Sequence, residues 1–463
     1  MNLSDTVMRK ATWTSRSAFL MAAIGCAVGL GNLWRFPYIA GQNGGSAFIM
    51  VYLGFVFLLG VPLIMSELAI GREGKLSAVE TMRRLVSRGH HPAWMYIGWV
   101  SILVPILGLS YYCVIAGWSL EYVFKAAMGT FTGVDAAGSG AIFQASQDNV
   151  IGSLIWFSLF LFATVAVISM GVKNGLEKAV KIMLPALFVI LIFLAIYAMS
   201  TGDSAAAVDF LVNPDFSKLT PRAVLEALGQ ALFSLAIGVG GLITYGAYLP
   251  DDVSLSKSAG VIAIADSIVA LLAGFAIFPI VFEYGLQPGE GPGLIFATLP
   301  IAFGQMPGGI LFGTLFFILL SFAAFSSTVG MLEPLVAWFV DKGKSRVKMA
   351  WGSGMIAWSI GIFMMLSFNV LVTFEPLNFI PLYEGKNLFG IMDYTVANVL
   401  IPINALMIGL FAGWAMTNEM AEKQFGFSYG SKEFTLWRIS TKYIATVAIS
   451  IVVYMMMFGN PFA

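Results

Sequence analysis

Gly25-Cys26-Ala27-Val28-Gly29-Leu30-Gly31-Asn32-Leu33-Trp34-Arg35-Phe36-Pro37 is the stretch that decides the fold. It lies within an apolar run long enough to cross a bilayer, yet glycines interrupt it, and Asn32 and Arg35 follow. Lipid offers a freed peptide group no hydrogen bond, so a span broken here must line a cavity enclosed by protein. A guanidinium at such depth marks a binding or transport pathway. Carbonyls freed at the break suit a small cation, and the amides that open a half-helix suit an anion.

Working outward, the 463 residues are 59% hydrophobic and only 11% charged, which implies an all-α polytopic membrane protein. With 25 basic and 25 acidic residues the net charge is zero, and no nucleic-acid footprint appears. Cys26 and Cys113 both fall in apolar spans, which argues against a structural disulfide without settling it. His90 and His91 are adjacent in a polar loop and read as a solvated loop end, because neighbouring residues rarely face one ion together. Arg9, Lys10 and Arg16 precede the first span. No short apolar core with a small-residue cleavage site follows them, so the first helix reads as uncleaved.

Hydropathy divides the chain into eleven spans, near 14–38, 45–70, 95–125, 150–170, 177–200, 222–248, 258–286, 309–340, 347–369, 389–417 and 436–459. Pro288 to Pro307 is rich in Gly and Pro with an apolar middle, Leu294–Phe303, and reads as a capping loop with a short re-entrant helix. Four residues follow Gly459, too few for a twelfth helix. The loop charges orient the chain: with the N-terminus cytoplasmic, 20 of 25 Lys and Arg lie inside, among them Arg72, Lys75, Arg83, Arg84 and Arg88. Lys125, Lys218, Arg222 and Lys386 lie outside, and Arg35 lies within the membrane. An odd number of spans then puts the C-terminus outside. The outer loops hold no Asn-x-Ser/Thr acceptor, which fits a prokaryotic inner membrane.

Span six repeats the opening theme. Gln230 to Tyr245 is interrupted near its middle by Gly238, Gly240 and Gly241, and it begins a second set of five spans as span one begins the first. Paired interruptions of this kind point to an inverted repeat with a site near the midplane. The chain then divides into 1–13, a cytoplasmic segment; 14–200 and 201–417, the two halves; and 418–463, a loop with span eleven.

Gly29-Leu30-Gly31-Asn32-Leu33-Trp34-Arg35-Phe36-Pro37, followed by Asn43-Gly44-Gly45, resembles the signature of the neurotransmitter:sodium symporter family. Gly229-Gln230-Ala231 and Ile243-Thr244-Tyr245 in span six match it too, as do Ser326-Ser327 and Glu333-Pro334 in span eight. The resemblance covers nearly the whole chain. It implies a five-plus-five inverted repeat, spans one and six unwound at mid-membrane, and sodium-driven uptake of small amines or amino acids. The eleven-span form is similar to bacterial members that lack the last helix.

Carried over residue by residue, the resemblance implies two sodium ions and no organic cofactor. The first would use Ala27, Asn32, Ser234 and Asp266 with the substrate carboxylate; the second, carbonyls of Gly25, Val28 and Ala323 with the hydroxyls of Ser326 and Ser327. Those serines could equally bond back to their own helix. Asp266 sits amid an apolar span, where a carboxylate is costly unless a cation or proton partners it. Chloride-dependent members carry Asn there and Ser one turn later, where this chain has Ala270. Asp266, beside Tyr52, Gln230 and Ser234, is therefore expected to replace chloride, with proton antiport on the return step open.

The family's amine carriers have an Asp where this chain has Gly29. The implied substrate site then takes in Ala27, Gly29 and Ser234, with amides near Leu30 and Gly31, the sodium and Tyr112 as partners of a carboxylate, which favours an amino acid over a monoamine. Gly108, Phe233, Ala236, Val239, Ser327 and Met331 would surround its side chain, and Gly108 and Val239 leave room for a bulky or aromatic one. Gly108 could instead serve close helix packing. Arg35 and Asp393 match the outer gate with Phe233 as lid, and Lys10, Tyr248, Glu333 and Asp341 the inner one. Glu67 corresponds to a carboxylate that supports unwound backbone. Enzyme chemistry finds no constellation here. A sensor on a transporter fold and a proton-coupled carrier are the rivals, the former short of a signalling domain.

Overall fold

The computed structural model describes residues 12–287 and 293–458, and among these every regular element is a helix. Nine helices are long and apolar enough to cross a membrane: Ser46–Gly74, Pro92–Ala127, Val150–Ser169, Val172–Thr201, Leu255–Glu283, Gly309–Asp341, Arg346–Leu366, Leu388–Ala415 and Lys432–Phe458. They are spans two to five and seven to eleven of the sequence reading. Span one is the pair Arg16–Ala27 and Gly31–Gln42, bent by 46°. Span six is in two pieces, Pro221–Ser234 and Gly241–Ala247, each shorter than the roughly 20 residues that cross a bilayer.

Helix ends run past the hydropathy boundaries because hydrogen bonding, not apolarity, ends a helix. Span two continues through Arg72 to Gly74 and stops where Lys75 turns left-handed, at φ 53°. The expected re-entrant helix is Leu294–Gln305; Pro288 to Pro292, part of the same reading, lies outside the described residues, as does Lys10. Besides it, four α-helices among the described residues lie in loops between spans: Asn418–Phe425, Ala78–Ser87, Ala136–Asp148 and Ser204–Val212. The latter two begin at aspartates, Asp135 and Asp203, whose side chains accept from Gly138 N–H and Ala206 N–H. Cys26 and Cys113 are both free and buried.

The two breaks meet at the centre, walled by spans three and eight, whose mutual packing is the most extensive in the molecule. In span one the helix ends at Ala27, and Val28 is extended at φ −68°, ψ 108°. Gly29 N–H donates to Asn32 Oδ1 at 3.2 Å and Leu30 N–H to the Tyr112 hydroxyl at 3.0 Å. In span six the chain turns through Ala236, Gly238 and Gly240 at φ 52°, 82° and 88°. Glu67 of span two accepts from Gly238 N–H at 2.6 Å, while Asn404 of span ten donates to Gly238 O at 2.7 Å and to Ser101 Oγ at 3.0 Å. The peptide groups flanking Gly238 are thus satisfied from two sides without water.

Gly240 has no latitude. A side chain there would adopt a left-handed conformation and drive its Cβ to 2.8 Å from Ser101 Cα, with the Ser101 carbonyl nearer still. Gly240→Ala is expected to lose at least ~1–2 kcal/mol from backbone handedness alone, whereas Gly260→Ala, with open space around it, leaves thermal unfolding in detergent unchanged or slightly raised. Equal melting temperatures for the two variants would contradict this account of the break.

Candidate functional site

Around the broken spans the fold builds three polar groupings and two cavities. In the first grouping, Asn32 Nδ2 donates to Asp266 Oδ1 at 2.8 Å, to Asp266 O at 3.1 Å and to Ser234 Oγ at 3.2 Å. The Tyr52 hydroxyl reaches Ser234 Oγ at 3.0 Å and Asp266 Oδ2 at 3.2 Å, and Ser234 itself donates to Asp266 Oδ2. All four residues are fully buried. Among the described residues no basic side chain pairs with Asp266. Neutral donors soften a buried carboxylate but do not cancel its charge, so the grouping calls for a cation or a proton. The Asn32 oxygen faces Gly29 N–H here, and a half-turn of the amide would exchange donor for acceptor. Gln230, expected in this group, instead donates to Gly31 O at 2.9 Å and so braces the first break.

The second grouping joins span one to span eight. Ser326 and Ser327 each reach Val28 O at 3.5 Å, and Ser326 also bonds back to Ala323 O at 3.0 Å. Gly25 faces Ser326, whose Cβ would lie 3.1 Å from a Cβ built on the glycine. Extended backbone at Val28 is what turns its carbonyl out of the helix toward these hydroxyls. Ser326 thus bonds its own helix, while both hydroxyls lie at a freed carbonyl of span one.

Phe233 divides two cavities. The inner one, about 40 Å³, is lined by Ala27, Gly29, Gly31, Gly108, Tyr112, Phe233, Ala236, Val239, Ser327 and Met331, together with Cys26, Val104, Pro105, Tyr111, Val396 and Ile401. Of the twelve residues expected around a substrate, only Leu30 and Ser234 do not line it: Leu30 lines the outer cavity and Ser234 belongs to the Asp266 group. At Gly29 a Cβ would meet the Tyr112 hydroxyl at 2.9 Å and press into Ser327 Oγ, so a side chain enters only if these two hydroxyls give way. Gly108 is the opposite case: the nearest atoms to a Cβ there are Met331 Sδ and Val396 Cγ1, both at 3.9 Å. Helix packing does not require this glycine; it leaves space.

The outer cavity, about 170 Å³, holds Arg35, Tyr38, Tyr111, Trp118, Phe233 and Asp393. The Arg35 guanidinium sits 4.5 Å above the Phe233 ring centroid, over the roof of the inner chamber. Arg35 and Asp393 share the cavity without forming an ion pair within 4.0 Å among the described residues. On the opposite side of the molecule, Tyr248 donates to Glu333 Oε1 at 2.7 Å. Asp341, expected in that group, accepts from Ser77 N–H at 2.6 Å. The cation facing Glu333 is Arg346, which forks onto both carboxylate oxygens and donates through Nε to Ile168 O at 2.9 Å.

Arg346, Asn404 and Glu67's exact partner were beyond reach of the sequence reading. Asn404 did carry a signal, since it is an uncompensated amide inside an apolar span. Arg346 carries no such signal, since it stands at the start of span nine where interfacial charges are ordinary. Arg346→Ala would leave Glu333 buried and unpaired, at an expected cost of ~3–5 kcal/mol. A double variant, Arg346→Met with Glu333→Leu, should recover most of that stability; unfolding in detergent measures both, and equal losses would show that the pair is not the cause.

The model of the sodium:neurotransmitter symporter family matches residues 10–133 and 143–461. The sodium-dependent transporter YhdH of Bacillus subtilis is 40% identical over 95% of this chain and 96% of its own. The sodium-dependent transporter MJ1319 of Methanocaldococcus jannaschii is 30% identical over 97% of this chain and 90% of its own. Among solved structures, that of MhsT in complex with L-phenylalanine superposes with a TM-score of 0.88 at 40% identity, covering 97% of this chain and 100% of that one.

Proposed function

The chain belongs to the sodium:neurotransmitter symporter family, a family of transporters and not of enzymes, and on that premise we propose that it imports a bulky hydrophobic L-amino acid, coupled to sodium and independent of chloride. The observation that carries the reading is the polar end of the inner cavity. Gly29 offers no carboxylate for an ammonium group, while the Tyr112 hydroxyl lines this cavity beside Gly29 and Gly31 and accepts from Leu30 N–H at 3.0 Å, which sets donors for a carboxylate at the cavity's edge. Apart from Ser327 and Tyr111 the rest of the lining is apolar, which suits an apolar side chain.

The space beside Gly108 and the small Val239 support a large or aromatic side chain, and a solved relative holds L-phenylalanine. In this reading the Asp266 group holds one sodium, with Ala27, Asn32 and Ser234. A second sits among Gly25, Val28, Ala323, Ser326 and Ser327. Hard oxygens suit that ion, and the carboxylate supplies in place what chloride supplies elsewhere. Arg35 with Asp393, and Tyr248 with Glu333, act as the outer and inner gates. The loop charges favour a cytoplasmic N-terminus.

Reconstituted in proteoliposomes, the protein is expected to take up labelled L-phenylalanine only with a sodium gradient, and at an unchanged rate when gluconate replaces chloride. Collapse of uptake without chloride would sink the Asp266 assignment; uptake driven by protons alone would favour a proton-coupled carrier, and sodium-dependent binding without uptake a sensor. Gly108→Leu is expected to weaken competition by aromatic amino acids at least ~10-fold while sparing small ones, because it fills space without a clash at its Cβ. Parallel losses for large and small competitors would show that Gly108 does not set the size limit.

A further inference from the structure

Glu177 opens the long helix of span five, is only 1% exposed, and takes no part in either cavity or gate described above. Both of its oxygens are used. Oε1 accepts from Thr14 N–H at 2.9 Å and Oε2 from the Thr14 hydroxyl, while Lys181 Nζ lies 3.4 Å from Oε2 and from Thr14 Oγ1. Thr14 immediately precedes Ser15, which caps the half-helix Arg16–Ala27. On its other side the same short segment is tied to span six: Trp13 Nε1 donates to Tyr245 O at 3.0 Å and Trp13 N–H to Tyr248 O at 3.3 Å.

We propose that Glu177 is a positioning residue of the transport cycle, a latch that holds the start of span one shut on the N-terminal face. The half-helix Arg16–Ala27 ends at the carbonyls of Ala27 and Val28 and lies between the inner cavity and that face. On the transport reading, release toward the N-terminal side swings this half-helix out of the way. The swing breaks the Thr14–Glu177 bonds, whereas the ties of Trp13 run to span six. Glu177 is therefore a hold on span one separate from the Tyr248–Glu333–Arg346 group.

The chain carries its own reporter. Cys26 lies in that half-helix, lines the inner cavity and is caged between Gly241 and Gly330, with its Sγ 3.0 and 2.8 Å from Cβ positions built on them. Maleimide alkylation of Cys26, located by peptide mass, can be timed in the full-length protein in lipid nanodiscs. Losing hydrogen bonds to a buried charge should raise the alkylation rate on the order of tenfold for Glu177→Ala without sodium. Thr14→Val and Glu177→Gln should give smaller rises in the same direction and keep the test alive if the alanine variant does not fold. Sodium should slow alkylation in every variant, with the sodium midpoint displaced upward.

An unchanged Cys26 rate in folded Thr14→Val and Glu177→Gln would overturn the latch. So would a faster rate accompanied by a fall in melting temperature and no change in sodium midpoint, the mark of a merely structural contact. The inference rests on the transport reading only in requiring span one to move. If wild-type proteoliposomes fail to take up any amino acid, the substrate assignment falls, while Cys26 kinetics still decide the latch.

Discussion

A peptide group released from its helix in the middle of a bilayer has to find its partners within the protein, and the arrangement of this molecule follows from that demand. Two spans are broken, and each break is met by side chains from elsewhere. Tyr112 and Asn32 receive the amides of the first; Glu67 and Asn404 hold the Gly238 peptides of the second. Spans two, three and ten are therefore fixed against the broken pair by specific polar contacts, in a medium where apolar packing gives little preference for one arrangement over another. The cavities form where these supports leave the backbone turned inward.

Two buried carboxylates near the centre are treated in opposite ways. Glu333 is gripped by the fork of Arg346 and by Tyr248, so its charge is balanced by a fixed partner. Asp266 has amide and hydroxyl donors only. A fixed cation makes a structural element, whereas a charge left without one is reserved for something that comes and goes. On the reading proposed above, that difference separates a gate from an ion site, and it follows from the partner set alone.

Much of this was legible in the sequence, because bilayer thickness and the need to satisfy backbone groups leave few ways to read long apolar runs broken by glycine. The residues singled out at 27–32, 108–112, 233–239 and 326–331 do converge on one cavity and the polar groups beside it. What escaped was pairing between spans. Nothing local links Thr14 to Glu177, Arg346 to Glu333, or Asn404 to Gly238, and a lone polar residue looks the same whether it meets solvent or a partner across the bundle. Gln230 and Asp341, grouped by resemblance, also bond Gly31 O and Ser77 N–H, contacts with no local sign. The loop helices escaped because they are too short to cross a bilayer, so a reading of long apolar runs passes over them.

The glycines at the breaks and around the inner cavity divide into two kinds with different futures. Gly240, left-handed and pressed on the Ser101 backbone, admits no side chain, whereas Gly29 is crowded only by the hydroxyl ends of Tyr112 and Ser327, so the second break is the one that cannot drift by point substitution. Gly108 borders empty space and can accept a side chain without disturbing its neighbours. A lineage built on this scaffold can therefore change what the cavity admits in single mutational steps while the backbone around the second break stays frozen. Diet is the evolvable trait here, and the engine is the conserved one by mechanical necessity.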